Sequence, residues 1–447
     1  MLSIVSLFCG TGGLDLGFKE LGFSIKYACD SDPVAVACYA RNIDEHVVTR
    51  DVSSLQFREE IKKMGDCDVI LGGFPCQGFS KAGPKVSQDK RNFLYLEMLW
   101  AVEILQPSLF IAENVDGISQ NFNGSYLHMI VTDFDAIGYK VDYRFVEAAG
   151  FGLPQYRRRI VFVGTKKDSK DCFVWPLPSH NARPRNGESK TRLQILPLFD
   201  DMHARTTNLQ PVATIRDAIS DLIELHEHIP DHRVINNWPK KYEAVFRAVG
   251  QGQKLCNVRH ASSSVYTWEI PSVFGVISEE EKMILEVISK NRRHKKYGNI
   301  PNGNPLPLEE ITRLIGEMDI TSQIGALLKK GYLKEVYKNC YDLKGAMFCS
   351  GIFKRPRWDE PSPTVLTNFY NPRYFLHPFR DRPFSLRECA RLQGFPDNFV
   401  FTTDCTTQDF VNGYRLVGNA VPPTVSRVLA AATQTFLLTS KTKEVAA

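Results

Sequence analysis

Cys76 follows a proline and stands between glycines, shortly after an apolar run at residues 69–71. The apolar run predicts a buried strand, and the surrounding glycines and proline predict a rigid turn at its end. A thiol displayed at the end of a strand is well placed to act as a nucleophile. We expect the other ten cysteines to be small buried side chains, which is the usual role of a free cysteine.

Three charged residues stand next to other predicted strands. Glu113 follows the apolar residues 109–112, and Arg157 and Arg159 precede the apolar residues 160–163. Alternate residues of a strand point to the same side, so we expect the two arginines to share one face. These positions could bring a thiol, a carboxylate and two guanidinium groups to one edge of a sheet.

The first part of the chain alternates short apolar runs with helical stretches. Predicted strands span residues 3–8, 23–29, 69–71, 109–113, 140–147 and 159–164. Predicted helices span residues 14–21, 33–41, 92–105 and 126–137. This alternation is typical of an α/β fold with a mostly parallel, Rossmann-like sheet and helices on both faces. Ligands of such sheets bind outside the carboxyl ends of the strands, where the polar residues above are found.

A glycine-rich loop at residues 8–13 follows the first predicted strand. Its glycines let backbone N–H groups approach a ligand. The dinucleotide-binding pattern requires a glycine where this chain has Asp15, so we expect a nucleoside with a smaller charged tail. Asp30 is placed to accept hydrogen bonds from ribose hydroxyls. Alternatively, the loop is a structural turn and Asp30 a helix cap, although Asp32 before Pro33 fits the cap better.

Composition restricts the class of protein. A chain of 447 residues predicts two domains, and 43% hydrophobic with 23% charged residues indicates a globular protein. No apolar run is long enough to span a membrane, and the cysteines lack the spacing of a zinc site or a disulfide framework. We therefore expect a cytoplasmic protein without a metal. The net charge is +5, and residues 226–360 hold 21 Lys and Arg against 16 Asp and Glu, which favours a polyanionic partner.

Several of these features are motifs that occur in one order along the chain. They are the loop at 8–13, Pro75-Cys76, Glu113-Asn114-Val115, Gln155–Arg159, Arg387–Pro396 and Gly418–Pro423. With this content and order, the chain resembles the DNA (cytosine-5) methyltransferases of bacterial restriction–modification systems. The resemblance spans residues 3–423, and the set of motifs is far more specific than any one of them.

The resemblance implies transfer of a methyl group from S-adenosylmethionine to carbon 5 of cytosine in double-stranded DNA. Cys76 would add to carbon 6, which turns the ring into an enamine that can attack the methyl group. Glu113 would hold ring nitrogen 3 and the exocyclic amine, which favours a raised carboxyl pKa. Arg157 and Arg159 would favour the thiolate, and Arg159 would contact the carbonyl oxygen of the base. The base must first swing out of the duplex, and residues 78–92 would form a mobile basic lid.

The resemblance also implies a set of cofactor-binding residues. They are Phe8, Gly10, Gly12, Gly13, Asp30, Asp51, Pro75, Leu94 and Asn419. Asp51 stands where the family holds the adenine, Phe8 matches an aromatic residue beside the cofactor, and Asn419 matches a residue near its amino-acid tail. The chain has Ser6 where the family often has Asp, and Asp30 where it often has Glu. The shorter carboxylate keeps the charge, so we expect cofactor binding to persist.

The resemblance further divides the chain into domains. Residues 1–185 and 410–440 would form the catalytic, cofactor-binding domain, and residues 186–409 the target-recognition domain. A helix predicted over residues 424–438 would pack back on the first domain. Within the recognition domain, residues 278–345 predict a winged-helix-like insert.

Three helices and a hairpin make up the predicted insert. The first helix begins at Ser278, the others span residues 308–315 and 322–330 with Thr321 as the last cap, and the wing strands span 332–336 and 344–349. Basic residues of the insert would approach DNA phosphates: Arg292, Arg293, Lys295, Lys296, Lys329 and Lys330. Alternatively, the insert only supports the recognition domain, because such folds also serve other roles.

Other functions have weaker support. A transfer RNA methyltransferase of the same family is disfavoured because the chain lacks a Cys-Phe-Thr signature and has a long insert. A non-catalytic DNA-binding protein on the same fold is disfavoured by the presence of Cys76, Glu113 and Arg159. An oxidoreductase is disfavoured by Asp15. We expect a monomer that is associated with the nucleoid through DNA, has no membrane partner and is paired in function with a restriction endonuclease.

Overall fold

The computed structural model describes residues 1–75, 94–119, 124–182, 208–226, 228–300, 303–344 and 351–446. The candidate nucleophile Cys76 and the predicted lid at 78–92 lie outside the described residues. The chain forms two compact units. Unit 1 consists of residues 1–233, 359–368 and 385–447, and unit 2 consists of residues 234–358 and 369–384.

Unit 1 is built on one sheet. Its strands are β1 (Ser3–Leu7), β2 (Ser24–Asp30), β3 (Val47–Thr49), β4 (Val69–Gly72), β5 (Leu109–Val115), β6 (Tyr139–Glu147) and β7 (Arg158–Lys166). The sheet order is β3-β2-β1-β4-β5-β7-β6. Strands β1 to β5 run parallel, whereas β7 is antiparallel to both β5 and β6. The predicted α/β fold with a mostly parallel sheet is confirmed, although β3 was not predicted.

Helices connect these strands and continue into unit 2. In chain order they are α1 (Gly13–Glu20), α2 (Pro33–Asn42), α3 (Leu55–Met64), α4 (Tyr95–Leu105), α5 (Ser125–Ala136), α6 (Ile215–Ile219), α7 (Tyr242–Ala248), α8 (Pro271–Phe274), α9 (Glu279–Asn291), α10 (Leu308–Ile315), α11 (Thr321–Lys330), α12 (Leu386–Leu392), α13 (Thr407–Asn419) and α14 (Pro423–Ala446). Helices α1, α2, α4 and α5 were predicted, whereas α3 was not. Within the described part of the chain, no helix has the length and apolar character needed to cross a membrane.

The central strand β4 is covered on both faces. Val69, Ile70 and Leu71 are fully buried. Gly72 ends the strand beneath α4, where an added Cβ would lie 2.6 Å from Met98 Sδ. A larger residue would displace the Met98 side chain, so glycine lets α4 pack closely over the end of the strand.

Helix α14 packs along α1 and closes unit 1. A Cβ on Gly17 of α1 would lie 2.4 Å from the backbone nitrogen of Arg427, so the two helices approach at backbone distance. Gly17 N donates to Ser426 Oγ at 3.1 Å, and Arg427 pairs with Glu20. The prediction that a helix following Pro423 packs back on the first part of the chain is confirmed.

The units divide the chain elsewhere than the domains expected from the sequence. Three segments expected within the recognition domain belong to unit 1: residues 208–233, 359–368 and 385–409. One reason is Arg387 of α12, which is fully buried and pairs with Asp231 at 3.1 Å. Another is Gln155, whose Oε1 accepts from Val365 N at 2.9 Å. The motif that begins at Arg387 therefore organises unit 1.

Unit 2 contains a body and an insert. The body comprises residues 234–277, 351–358 and 369–384, with the short parallel strands β8 (Lys254–Leu255) and β9 (Ser264–Val265). The insert comprises residues 278–344 and carries α9, β10 (Leu306–Pro307), α10, α11, β11 (Leu333–Tyr337) and β12 (Cys340–Leu343). Its three strands pair antiparallel in the order β10-β12-β11. This order of elements is the arrangement of a winged helix.

Two details of the predicted insert are wrong. Helix α9 does begin after Ser278, whose Oγ accepts from Glu281 N at 3.1 Å. Thr321, however, is the first residue of α11 and donates its N–H to Asp319 Oδ1 at 3.0 Å. The strand that pairs with β11 is β12, which begins earlier than the predicted second wing strand at 344–349, because Asn339, with φ of 57°, turns the chain directly after β11. Residues 345–349 lie outside the described residues.

The prediction that Arg292 approaches phosphates is also wrong. Its side chain is buried, Nε donates to Asp342 Oδ1 at 2.8 Å, and Nη2 donates to Asp342 Oδ2 at 2.8 Å. A guanidinium that is enclosed and bidentate to a carboxylate is committed to the core of the insert.

Candidate functional site

A cavity of about 390 Å³ opens at the carboxyl ends of β1, β2, β4 and β5 in unit 1. This is the edge at which parallel sheets bind their ligands. Its lining includes nine of the predicted site residues: Phe8, Gly10, Asp30, Gly13, Pro75, Glu113, Arg157, Arg159 and Asn419. The fold therefore brings the predicted cofactor loop and the predicted charged groups together in one cavity.

The glycine loop is held by Asp30 at the end of β2. Gly10 N donates to Asp30 Oδ2 at 2.8 Å, and Asp32 N donates to Asp30 Oδ1 at 2.9 Å. Burial raises the pKa of the Asp30 carboxyl, and these backbone hydrogen bonds oppose the rise. Gly10 has φ of 55°, which lies in the left-handed region that favours glycine. The carboxylate thus fixes the loop from within the cavity wall.

Packing accounts for the next two glycines. A Cβ on Gly12, whose φ is 84°, would lie 2.0 Å from Ile43 Cδ1. A Cβ on Gly13 would lie 2.2 Å from the carbonyl oxygen of Val421. Both positions require glycine so that the loop can pass close to α2 and to the segment between α13 and α14.

Glu113 and Arg159 face each other across neighbouring strands. Arg159 Nε lies 3.0 Å from Glu113 Oε1, and Arg159 Nη1 donates to the carbonyl of Arg158 at 2.8 Å. The pairing of β5 with β7 places Val115 opposite Arg159, which brings the two side chains within reach. Burial raises the pKa of the Glu113 carboxyl, although Arg159 and Arg157 oppose the rise. The predicted direction of this pKa shift agrees with the structure.

Arg157 lines the cavity but has several backbone partners. Its side chain is 1% exposed. Its Nη1 donates to the carbonyl of Val365 at 3.2 Å, and its Nη2 donates to the carbonyls of Gly418 at 2.9 Å and Ala420 at 3.0 Å. The guanidinium therefore ties two distant stretches of unit 1, at residues 365 and 418–420, to the start of β7. This arrangement favours a positioning role for Arg157 over direct contact with a substrate.

Asn114 connects the end of β5 to the segment that leads to the candidate nucleophile. Its Nδ2 donates to the carbonyl of Phe74 at 3.0 Å, and its Oδ1 accepts from Val115 N at 2.8 Å. Phe74 immediately precedes Pro75, and Cys76 lies outside the described residues. Asn114 thus orients the backbone just before Cys76.

Three predicted cofactor residues are not part of the cavity lining: Gly12, Asp51 and Leu94. Gly12 acts through packing, as described above. Asp51 is exposed, and its Oδ1 accepts from Ser53 N at 2.9 Å and from Ser53 Oγ at 2.7 Å. Leu94 is partly buried against the core at the start of α4. Their assignment to the cofactor stays a prediction.

The cavity also contains charged residues that were not predicted as site residues. Asp15 is fully buried, and its carboxylate accepts from Ser6 Oγ at 2.8 Å and from Tyr39 OH at 2.7 Å. Asp32 caps α2, as expected, but also pairs with Arg415 of α13. The Ser at position 6, where the family often has Asp, donates its hydroxyl to the buried carboxylate of Asp15. No local signal marked Arg415, because its partner is far away in sequence.

The chemistry available to this cavity follows from its charges. Carboxylates at the glycine loop can hold hydroxyl and cationic groups of a ligand. At the other side, a carboxyl of raised pKa beside a guanidinium can donate one hydrogen bond and receive others from a flat polar ring. A volume of about 390 Å³ is within the usual range of sites for small molecules, roughly 300 to 1,000 Å³.

Comparison with known proteins agrees with this chemistry. The family model for C-5 cytosine-specific DNA methylases matches residues 2–435. The Type II methyltransferase M.AgeI of Thalassovita gelatinovora is 30% identical over 446 residues, which cover 96% of this chain and 98% of that protein. The Type II methylase M.HgiEI of Herpetosiphon aurantiacus is 27% identical and covers 94% of both chains.

A solved structure supports the fold. It is a prophage-encoded protein of E. coli described as a DNA modification methyltransferase, and it aligns with a TM-score of 0.53 at 23% identity. The alignment covers 98% of this chain and 99% of that chain. At this identity, the likeness concerns the fold alone.

Proposed function

Because the chain belongs to the family of C-5 cytosine-specific DNA methylases, we propose that the cavity of unit 1 is its active site and uses S-adenosylmethionine. The protein is a DNA (cytosine-5-)-methyltransferase of the Type II restriction–modification class. One observation carries the proposal: a single cavity contains both the glycine loop with Asp30 and the Glu113–Arg159 pair. A cofactor and a target base can therefore meet there.

The residues at the loop suit S-adenosylmethionine. Asp30 is fixed by backbone N–H groups with its carboxylate in the cavity wall, where it can accept from ribose hydroxyls. Asp15 and Asp32 add negative charge to a site for a cationic ligand. Phe8 and Asn419 also belong to the lining. When bound, S-adenosylmethionine supplies an electrophilic methyl group.

The residues at the other side suit a cytosine ring. Burial favours the protonated form of Glu113, which can donate to ring nitrogen 3 and accept from the exocyclic amine. Arg159 contacts Glu113 through Nε and can donate to the carbonyl oxygen of the ring. A ring held in this way is polarised toward addition at carbon 6.

Cys76 performs the covalent step. Its thiolate would form a bond to carbon 6, and the electron pair of the 5,6 double bond would move to carbon 5, where it could take the methyl group that bound S-adenosylmethionine supplies. Transfer of the proton from carbon 5 to water would then restore the double bond and expel the thiolate. Arg157 and Asn114 act as positioning residues, because they bond backbone carbonyls around the cavity and just before Cys76.

A mechanism-based trap tests the nucleophile. Duplex DNA with 5-fluorocytosine at the target cannot lose the substituent at carbon 5, so the covalent complex should accumulate. We expect a stable adduct with the parent protein and none with Cys76→Ser. The target is first located by bisulfite sequencing of host DNA after expression of the chain.

Cys405→Ser is the matched control. Cys405 is an exposed free cysteine in unit 1 and is not among the residues that line the cavity. Its exposure, like that of Cys172, contradicts the expectation that every cysteine other than Cys76 is buried. This variant should form the adduct like the parent. An adduct that persists in Cys76→Ser would remove Cys76 from the mechanism.

The partners follow from the same class of enzyme. We propose that the protein acts as a monomer on double-stranded DNA in the cytoplasm and that it protects the target of a restriction endonuclease. The support is that the relatives above are named Type II methyltransferases. Protection of host DNA from a restriction digest, measured with and without expression of the chain, tests the last point.

A further inference from the structure

We propose that the winged-helix insert of unit 2 is a second DNA-binding surface, which contacts duplex DNA outside the methylated site through α11 and the β11–β12 hairpin. Helices α10 and α11 are joined by residues 316–320 and form a helix-turn-helix, and the hairpin follows directly. In this arrangement the second helix of the pair enters the major groove. The proposal rests on DNA being the substrate of the enzyme.

The exposed face of α11 is narrow and polar. Ile324 and Leu327 are buried in the core of the insert, whereas Thr321, Ser322, Gly325 and Lys329 are exposed. A Cβ on Gly325 would meet no atom within 4 Å, although glycine inside a helix is unfavourable. A helix that presents hydroxyls, a glycine and a lysine can approach a groove closely.

The cations of the insert fall into two groups, those paired with carboxylates and those left unpaired. It holds 12 Lys and Arg against 10 Asp and Glu, so its net charge alone is small. Several of its cations are paired with carboxylates of the insert: Lys282 with Glu279, Lys290 with Glu286, Lys296 and Arg313 with Glu310, Lys330 with Glu281, and Arg292 with Asp342. The basic residues of α9 and α10 are therefore largely neutralised.

The cations on and around the hairpin are not neutralised in this way. Lys329 of α11, Lys334 of β11, Lys338 at the turn and Lys344 after β12 are exposed. None of the four forms an ion pair with any residue that the structure describes. Lys329 lies in the last turn of α11, where a cation interacts favourably with the helix dipole. This interaction does not account for the lysines of the hairpin. Exposed lysines without a carboxylate partner are free to neutralise the phosphates of a bound duplex.

The chemistry of this surface favours DNA over a protein. The exposed positions of α11 carry hydroxyls, a glycine and a lysine, and the cores of protein interfaces are apolar and depleted in lysine. The body of unit 2 is more basic still, with 11 Lys and Arg against 3 Asp and Glu. We therefore assign the target site to the body and a flanking contact to the insert.

Duplex length separates the two contacts. The full-length protein is bound, with S-adenosylhomocysteine, to duplexes of about 15 and about 40 base pairs centred on the target, because a helix-turn-helix needs roughly one further helical turn of DNA. The test variant is the double substitution Lys329→Ala and Lys338→Ala. On the long duplex we expect lower affinity and a salt slope that is smaller by about 2, or about 1 for each phosphate contact. On the short duplex we expect no change in affinity, nor in the methylation rate measured separately with S-adenosylmethionine.

Two matched controls define the outcome. Lys282→Ala with Lys290→Ala removes the same charge from α9 and should bind the long duplex better than the test variant. Gly325→Ala and Gly325→Glu add a side chain at the same open position, and only Gly325→Glu should weaken binding of the long duplex. If the test variant binds the long duplex with the parent's affinity and salt slope, the insert is a support and not a DNA contact. Loss of methylation on the short duplex by the parent would instead contradict the proposed function.

Discussion

Two arginine–carboxylate pairs, one in each unit, differ in how many of their hydrogen-bonding positions are occupied within the protein. In unit 1, Arg159 contacts Glu113 through one nitrogen at 3.0 Å, and both residues line a cavity. In the insert, Arg292 holds Asp342 through two hydrogen bonds of 2.8 Å. The side chains of Arg159 and Glu113 are 17% and 12% exposed. Those of Arg292 and Asp342 are 5% and 8% exposed.

This difference in exposure and hydrogen bonding indicates which buried charges are available to bind a ligand. The pair in the insert is closed and bidentate, so its hydrogen-bonding capacity is spent within the protein. The pair in unit 1 is joined by one contact and opens on a cavity of ligand size, so a ring can take up the remaining positions. Both arginines were predicted to meet nucleic acid, and only their surroundings distinguish them. The comparison can be tested by breaking each pair in turn.

The largest effect is expected from Glu113→Gln. Glutamine keeps the size of the side chain and can still accept from Arg159, but it has no acidic proton for ring nitrogen 3. We expect the rate of methyl transfer to fall by about 10² to 10⁴, which is the usual contribution of general acid catalysis. The affinity for S-adenosylmethionine and the melting temperature should stay close to the parent values. Transfer at the parent rate would mean that Glu113 only positions the base.

A loss of stability is expected from Asp342→Ala. The substitution leaves Arg292 as a buried charge without its carboxylate, which costs about 3 to 5 kcal/mol in comparable cases. In urea, unit 2 should therefore unfold earlier, while binding of S-adenosylmethionine by unit 1 is retained. The double variant Arg292→Met with Asp342→Leu removes both charges and should recover part of the loss. Equal stability of Asp342→Ala and the parent would remove the distinction between the two pairs.

The smallest effect concerns Asp15, a buried carboxylate with hydroxyl partners. Burial raises the pKa of Asp15 to about 6, and hydrogen bonds from Tyr39 and Ser6 oppose the rise. The pKa of Asp15 is higher in the folded state than in the unfolded state, so protonation of Asp15 stabilises the folded protein. This stabilisation is fully present below about pH 4 and is lost as the pH rises through 6.

Asp15→Asn removes this pH dependence. Relative to that of the parent, the free energy of unfolding of this variant should rise between pH 4 and pH 7. The rise should reach about 3 kcal/mol, because 1 pKa unit corresponds to about 1.4 kcal/mol. Urea unfolding of both proteins at several pH values measures the difference. A difference that does not change with pH would mean that Asp15 keeps an ordinary pKa.

Elements with local signals could be predicted from the sequence. The apolar runs of three residues in β4 and four in β5 predict strands because continuous apolar residues bury both faces of a central strand. Asp32 before Pro33 marks the start of α2, where Asp32 Oδ1 accepts from Val34 N at 3.0 Å. The three residues of β3 carry no comparable pattern, so this strand was missed.

The set of chemical groups that line the cavity was also evident from sequence, because the motifs that carry Glu113 and Arg159 stand at strand ends that a parallel sheet brings to one edge. The sequence could not separate Arg159 from Arg157, since both precede the same apolar run. Tertiary structure decided this, because Arg157 is enclosed by the carbonyls of Val365, Gly418 and Ala420. A residue type determines which bonds a side chain can form. The residues that surround it in the fold, often hundreds of positions away, determine whether those bonds are made within the protein or left for a ligand.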